Sequence, residues 1–128
     1  MFKLLPSLLF TIVLITGFAQ CTRTVDSELK KVAEVANKQC PRSVDQYTRL
    51  DSVAAIPGET YRFYYTLSIA ITDVPTIKEN LKNELIKNIQ IDPSMKFFRE
   101  NHVTMQYRYN DGAGNNDFEI NIAPHEYK

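Results

Sequence analysis

The sequence predicts a single α+β domain, and three patterns carry that expectation. Tyr61, Phe63, Tyr65, Leu67, Ile69 and Ile71 occupy every odd position of one stretch, with polar or small residues between most of them. That alternation is a strand with one face on a core. Apolar residues at helical spacing mark Leu29, Val32, Ala33 and Ala36 early in the chain. The same spacing marks Ile77, Leu81, Leu85 and Ile89 in its second half.

In chain order, the first helix is expected from about Ser27 to Gln39, capped by Asp26 or Ser27 and stopped at Pro41, because the residue before a proline is pushed out of the α region. A strand from Tyr47 to Ile56 follows, then a turn at Pro57-Gly58-Glu59, then the alternating strand of residues 61–72. Asp73 can cap the second helix, and Thr76 and Glu79 have capping-box spacing. Asp92-Pro93 reads as the start of a short helix through about Arg99. His102 to Tyr109 alternates again, "NDGAGNND" supplies a hairpin tip, and Phe118, Ile120 and Ile122 face inward on the last strand. The order is therefore αββα(α)ββ, and its simplest architecture is a four-stranded antiparallel sheet with helices on one face. Leu29 with Leu81, Lys30 with Lys82, Pro41 with Pro93 and Val53 with Met105 match at an offset of 52, which suggests a duplicated αββ unit.

The N-terminus has a different character. Lys3 is followed by a mostly apolar run from Leu4 to Phe18, the pattern of a secretory signal and shorter than the roughly 20 residues of a membrane span. Gly17-Phe18-Ala19 offers the small residues a signal peptidase needs, making residues 1–19 the signal and residues 20–128 the domain, with Gln20 as its first residue. The alternative is lipoprotein processing at Cys21, although Gln20 is bulky for the position before a lipid-accepting cysteine. The expected location is exported, periplasmic or secreted, with a membrane lipoprotein anchored at Cys21 as the alternative. Cys21 and Cys40 are the two cysteines of the chain. A disulfide between them requires the leader to lie back, nearly straight, along the first helix. A buried Cys40 thiol is the simpler reading.

Composition narrows the function classes. The chain has 15 basic and 15 acidic residues in 128, with no basic run, so it carries no electrostatic footprint for nucleic acid or for a polybasic membrane patch. Neither His102 nor His125 stands beside a nucleophile motif, and no phosphate-cradling glycine loop occurs, so no catalytic residue, cofactor or metal is expected. The loop at residues 110–117 lacks the glycine and terminal glutamate spacing of a calcium hand. Asp45, Arg49 and Asp51 form the most unusual polar cluster, readable as a small-ligand site or as an ion pair that fixes a strand's register. If the helices cover one sheet face, the other carries Arg62, Tyr64, Thr66, Thr104, Gln106, Arg108 and Glu119, a candidate partner surface.

Three segments, "NKQCPRSVDQYTRLDSV" at 37–53, "YRFYYTL" at 61–67 and "DPSMKFFRENHVTMQYRY" at 92–109, resemble those of a group of small bacterial exported or membrane-associated proteins with no established activity. The resemblance implies a bacterial source and a preceding signal or membrane segment. Three functions fit these features. One is a non-enzymatic module binding another envelope or secreted protein. The others are a small-ligand binder or enzyme using the Asp45–Arg49–Asp51 cluster, and an inhibitor or immunity-type partner of a secreted enzyme.

Overall fold

The computed structural model describes residues 24–112 and 116–128. The expected signal segment, Gln20 and Cys21 lie outside the described residues. Helix α1 spans Val25–Asn37. It begins two residues before the expected start because the Thr24 side chain, not that of Asp26 or Ser27, accepts from the Ser27 amide. Asp26 and Glu28 then fall in the first turn, where the helix dipole favours acidic groups. Asp26 also reaches beyond its own helix, its carboxylate accepting from the backbone amides of Gly58 (3.2 Å) and Glu59 (2.7 Å). Those residues form a turn with left-handed backbone (φ 95° and 57°), so α1 is pinned to the hairpin it overlies.

Strand β1 is a two-residue piece, Arg42–Ser43, invisible to periodicity. It pairs with β2, Thr48–Ile56, which forms a hairpin with β3, Thr60–Leu67. Helix α2 (Val74–Ile91) starts from its Asp73 cap, whose side chain accepts from the Thr76 amide, rather than from the Thr76/Glu79 box. A 3₁₀ turn at Pro93–Met95, capped by Asp92, leads into α3, Lys96–Glu100. Strands β4 (Thr104–Asn110) and β5 (Asp117–Ile122) follow, and a 3₁₀ turn at Pro124–Glu126 closes the chain.

The fold is an open α+β sheet with helices on one face, but it is neither four-stranded nor wholly antiparallel. Among the described residues five strands lie in the order β1-β2-β3-β4-β5. β3 and β4 are parallel, Thr60 opposite Thr104 and Thr66 opposite Asn110. The cause is the connection: α2 and α3 carry the chain back along the length of the sheet, so β4 starts at the end where β3 started. Each hairpin is antiparallel. The element order repeats as αββ, yet α1 packs on the first strand of its unit (β2) and α2 on the second of its unit (β5), so the packing does not follow a duplication.

β3 also ends earlier than its alternation implies. Past Leu67 the chain leaves the sheet for α2: the Ser68 amide donates to the Tyr47 carbonyl and the Ile71 carbonyl accepts from Asn116 Nδ2. Ile71 is buried there while Ile69 is exposed. The core joins Leu29, Ala33, Ile89 and Phe98 from the helices to Tyr61, Met105, Tyr107, Ile120 and Ile122 from the sheet. Tyr127 is folded beneath it, its hydroxyl donating to the carbonyl of Val103 and within reach of that of Phe98. No helix among the described residues is long and apolar enough to cross a membrane.

Candidate functional site

The sheet face away from the helices carries three rows of side chains in register. Ser52, Tyr64, Arg108 and Glu119 form one, and Ala54, Arg62, Gln106 and Asn121 the next. Arg49, Thr66, Asn110 and Asp117 form the third, and Thr104 sits opposite Thr60 at the end. The parallel pairing of β3 and β4 places Tyr64 directly across from Arg108. An antiparallel pairing of the same strands would have run the register the other way, so this adjacency was not readable from alternation.

Within these rows the polar groups are largely matched. Arg108 Nε donates to Glu119 Oε2 at 2.6 Å. That hydrogen bond holds the Glu119 carboxyl below its ordinary pKa and the Arg108 guanidinium above its own. Arg62 differs: its Nε donates to Gln106 Oε1 at 2.8 Å and its Nη1 to the Tyr64 hydroxyl at 3.2 Å. Its guanidinium carbon lies 5.9 Å from the Tyr64 ring centre. Among the described residues Arg62 forms no ion pair. The face thus presents an aromatic ring between two cations, Arg108 hydrogen-bonded to Glu119 and Arg62 within electrostatic reach of the same carboxylate. Beside it Tyr64, Arg108, Asn110, Asp117 and Glu119 border an open depression of about 440 Å³.

The Asp45, Arg49 and Asp51 cluster is only partly assembled. Leu50 pairs with Tyr65 and Ser52 with Tyr64, so Asp51 is the extra residue of a β-bulge. The bulge turns Asp51 toward Arg49 Nε (2.6 Å) and the Thr66 hydroxyl (2.5 Å), and moves the core-facing positions from Leu50 to Val53. Asp45 lies apart, in the turn between β1 and β2, where one oxygen accepts from the Tyr47 amide at 2.8 Å. It borders a small hollow of about 180 Å³ with Arg49 and Thr66. Cys40 is a free, half-buried thiol within reach of the Ala36 carbonyl at 3.4 Å. Its candidate disulfide partner lies outside the described residues. His102 and His125 are exposed, and among the described residues no group of three or more histidine, cysteine or acidic side chains is placed to hold a metal.

Residues 23–118 match the family model of a domain of unknown function, DUF8479. The chain belongs to that family. No curated protein matches it by sequence. Two solved structures share the fold of this DUF8479 member. One is a Pseudomonas aeruginosa protein predicted to be secreted, 10% identical, with a TM-score of 0.67 over 81% of this chain and 93% of that one. The other is a pilotin of the Vibrio vulnificus type 2 secretion system, 9% identical, with a TM-score of 0.67 over 83% of this chain and 94% of that one. At these identities the likeness is one of fold.

Proposed function

We propose that the protein is exported to the bacterial cell envelope, where it binds another protein and performs no catalysis itself. The observation that carries this reading is the helix-free sheet face, with Tyr64 set between Arg62 and Arg108. Tyrosine and arginine are the side chains in which interfaces concentrate their energy. The apolar N-terminal run supports export, and the fold shared with a secreted protein and a pilotin agrees with it. Processing after Ala19 is the preferred route, with lipidation of Cys21 as the alternative. An inhibitor or immunity-type role is one form of the same reading, its partner being a secreted enzyme.

A ligand site at Asp45, Arg49 and Asp51 is less favoured, because Arg49 and Thr66 already occupy both oxygens of Asp51. Affinity purification of the native protein from envelope extract separates the readings. One protein partner at fixed stoichiometry is expected. A small molecule released from the purified protein by denaturation, with no protein partner, contradicts the proposal.

A further inference from the structure

The two edges of the sheet are finished differently. On one side the outer groups of β2 are met by β1 and by the Asn37 side chain. β5 forms the other edge and pairs only with β4. One bond fixes the phase of that pairing: the Thr104 amide donates to the Glu59 carbonyl at 2.9 Å, on the β3 side. Backbone groups alternate sides along a strand, so Thr104, Gln106 and Arg108 bond toward β3, and Met105, Tyr107 and Tyr109 toward β5. Their partners Ile122, Ile120 and Phe118 turn their backbone groups inward, and Asp117, Glu119 and Asn121 turn theirs outward.

Ala123 continues the outward set, and its amide donates to Glu126 Oε2 at 2.7 Å. Among the described residues no hydrogen bond closes the outward amides of Asp117, Glu119 and Asn121. A row of unpaired donors and acceptors is a template for another strand.

Charge and space choose the occupant. β5 reads DFEINI, with two carboxylates and no basic residue. Arg108 engages Glu119, but Asp117 is exposed and forms no ion pair among the described residues. Lys82 of α2 stands at the far end of the strand, where Glu126 neutralises it, and Lys78 is followed by Glu79. Antiparallel pairing of two copies at this edge would put four carboxylates on one seam. It would also keep both α2 helices on one side, each over its own β5, about 5 Å apart against the about 8–10 Å of packed helices. A single extended segment avoids both conflicts. Its side chains would alternate between two surfaces. Toward the helices lie Val74, Ile77 and Leu81 of α2, apolar and only half-buried. On the helix-free side lies the depression bordered by Tyr64, Asn110 and Asp117.

We propose that β5 receives an extended segment of a partner protein as a further strand. The segment's backbone bonds to Asp117, Glu119 and Asn121, with a lysine or arginine beside Asp117 and apolar side chains against α2. The proposal rests on the protein-binding reading and gives the form of the contact. The probe is a display library of short random linear peptides panned on the purified full chain, with enriched peptides synthesised and titrated calorimetrically. Enriched peptides should alternate apolar with polar residues and carry a basic one. Asn121→Pro removes an outward amide but no bond to β4, a change that edge strands tolerate. It should weaken the peptides about tenfold, the worth of one lost hydrogen bond, whereas Asn121→Ala should not. Asp117→Lys should weaken them comparably, and all three variants should melt as the unaltered protein does. On the unaltered protein, methylating peptide amides one at a time should weaken binding at every second position. No enriched peptide, peptides without a basic residue, equal losses from methylation at every position, or affinity indifferent to Asp117→Lys would overturn the proposal. So would self-association lost in Asn121→Pro, which would give the edge to a second copy. An envelope partner held equally by Asn121→Pro and by the unaltered protein would overturn strand addition while leaving the protein-binding reading in place.

Discussion

The side-chain amide of Asn37 hydrogen-bonds both backbone groups of Val53: its Nδ2 donates to the Val53 carbonyl at 2.9 Å and its Oδ1 accepts from the Val53 amide at 2.8 Å. The last residue of α1 thereby imitates a neighbouring strand. β1 pairs with β2 only at Arg49 and Leu50, and Asn37 continues the ladder where β1 stops. An unpaired sheet edge invites unwanted pairing, and this edge is closed by a strand fragment and one amide.

Replacing Asn37 with alanine should lower stability by about 1–2 kcal/mol, from two hydrogen bonds near a surface. A urea titration should show an earlier midpoint with an unchanged slope. A midpoint equal to that of the unaltered protein would mean that water replaces the amide without cost.

Ile120 is fully buried opposite Tyr107, whereas Phe63 is only partly buried. Ile120→Ala should therefore cost about 3–4 kcal/mol, through lost transfer energy and a cavity. The alternation of β3 alone suggests about 3–5 kcal/mol for Phe63→Ala, but its partial exposure reduces the expectation to about 2 kcal/mol. Calorimetric melting of both variants checks the order. A larger loss for Phe63→Ala would show that its ring is more deeply covered in solution than its partial exposure implies.

Glu126 ties the C-terminal turn to α2, accepting from Lys82 Nζ at 2.7 Å and from the Ala123 amide at 2.7 Å. Lys82 first, then the amide, hold its carboxyl below the usual glutamate value. A depressed folded-state pKa gives stabilisation that is present above the unfolded value, about 4.3, and lost as pH falls through the folded one. The melting temperature of Glu126→Gln should therefore trail that of the unaltered protein at pH 7, and the gap should shrink below about pH 4. A gap constant down to pH 3 would assign the difference to packing.

Much of this fold was legible because alternation and helical spacing report directly on which side of an element is buried. Tyr61, Leu67, Met105, Phe118 and Ile120 follow from that reasoning, and all are core residues. Periodicity says nothing about neighbours, so the parallel pairing of β3 and β4, and the contact of Tyr64 with Arg108 that depends on it, were hidden. The bulge at Asp51 was hidden for a related reason: one extra residue changes the phase without changing composition. The two-residue β1 is too short to carry a period.

Export has a direct readout. Intact-mass spectrometry of protein from its native envelope should match residues 20–128, beginning at Gln20. A diacyl addition on Cys21 would replace simple cleavage with lipoprotein processing, and retention of residues 1–19 would contradict both.

The central claim is that the helix-free sheet face binds a protein partner. Its most direct test is photo-crosslinking in the living cell, with a photoreactive phenylalanine analogue at position 64 and, as a control, at exposed Lys78 on α2. A single partner should crosslink from position 64 and not from position 78, and Arg108→Glu should reduce the yield at least tenfold while the protein melts as before. Equal yields from both positions, or none from position 64 while the partner crosslinks elsewhere, would contradict it.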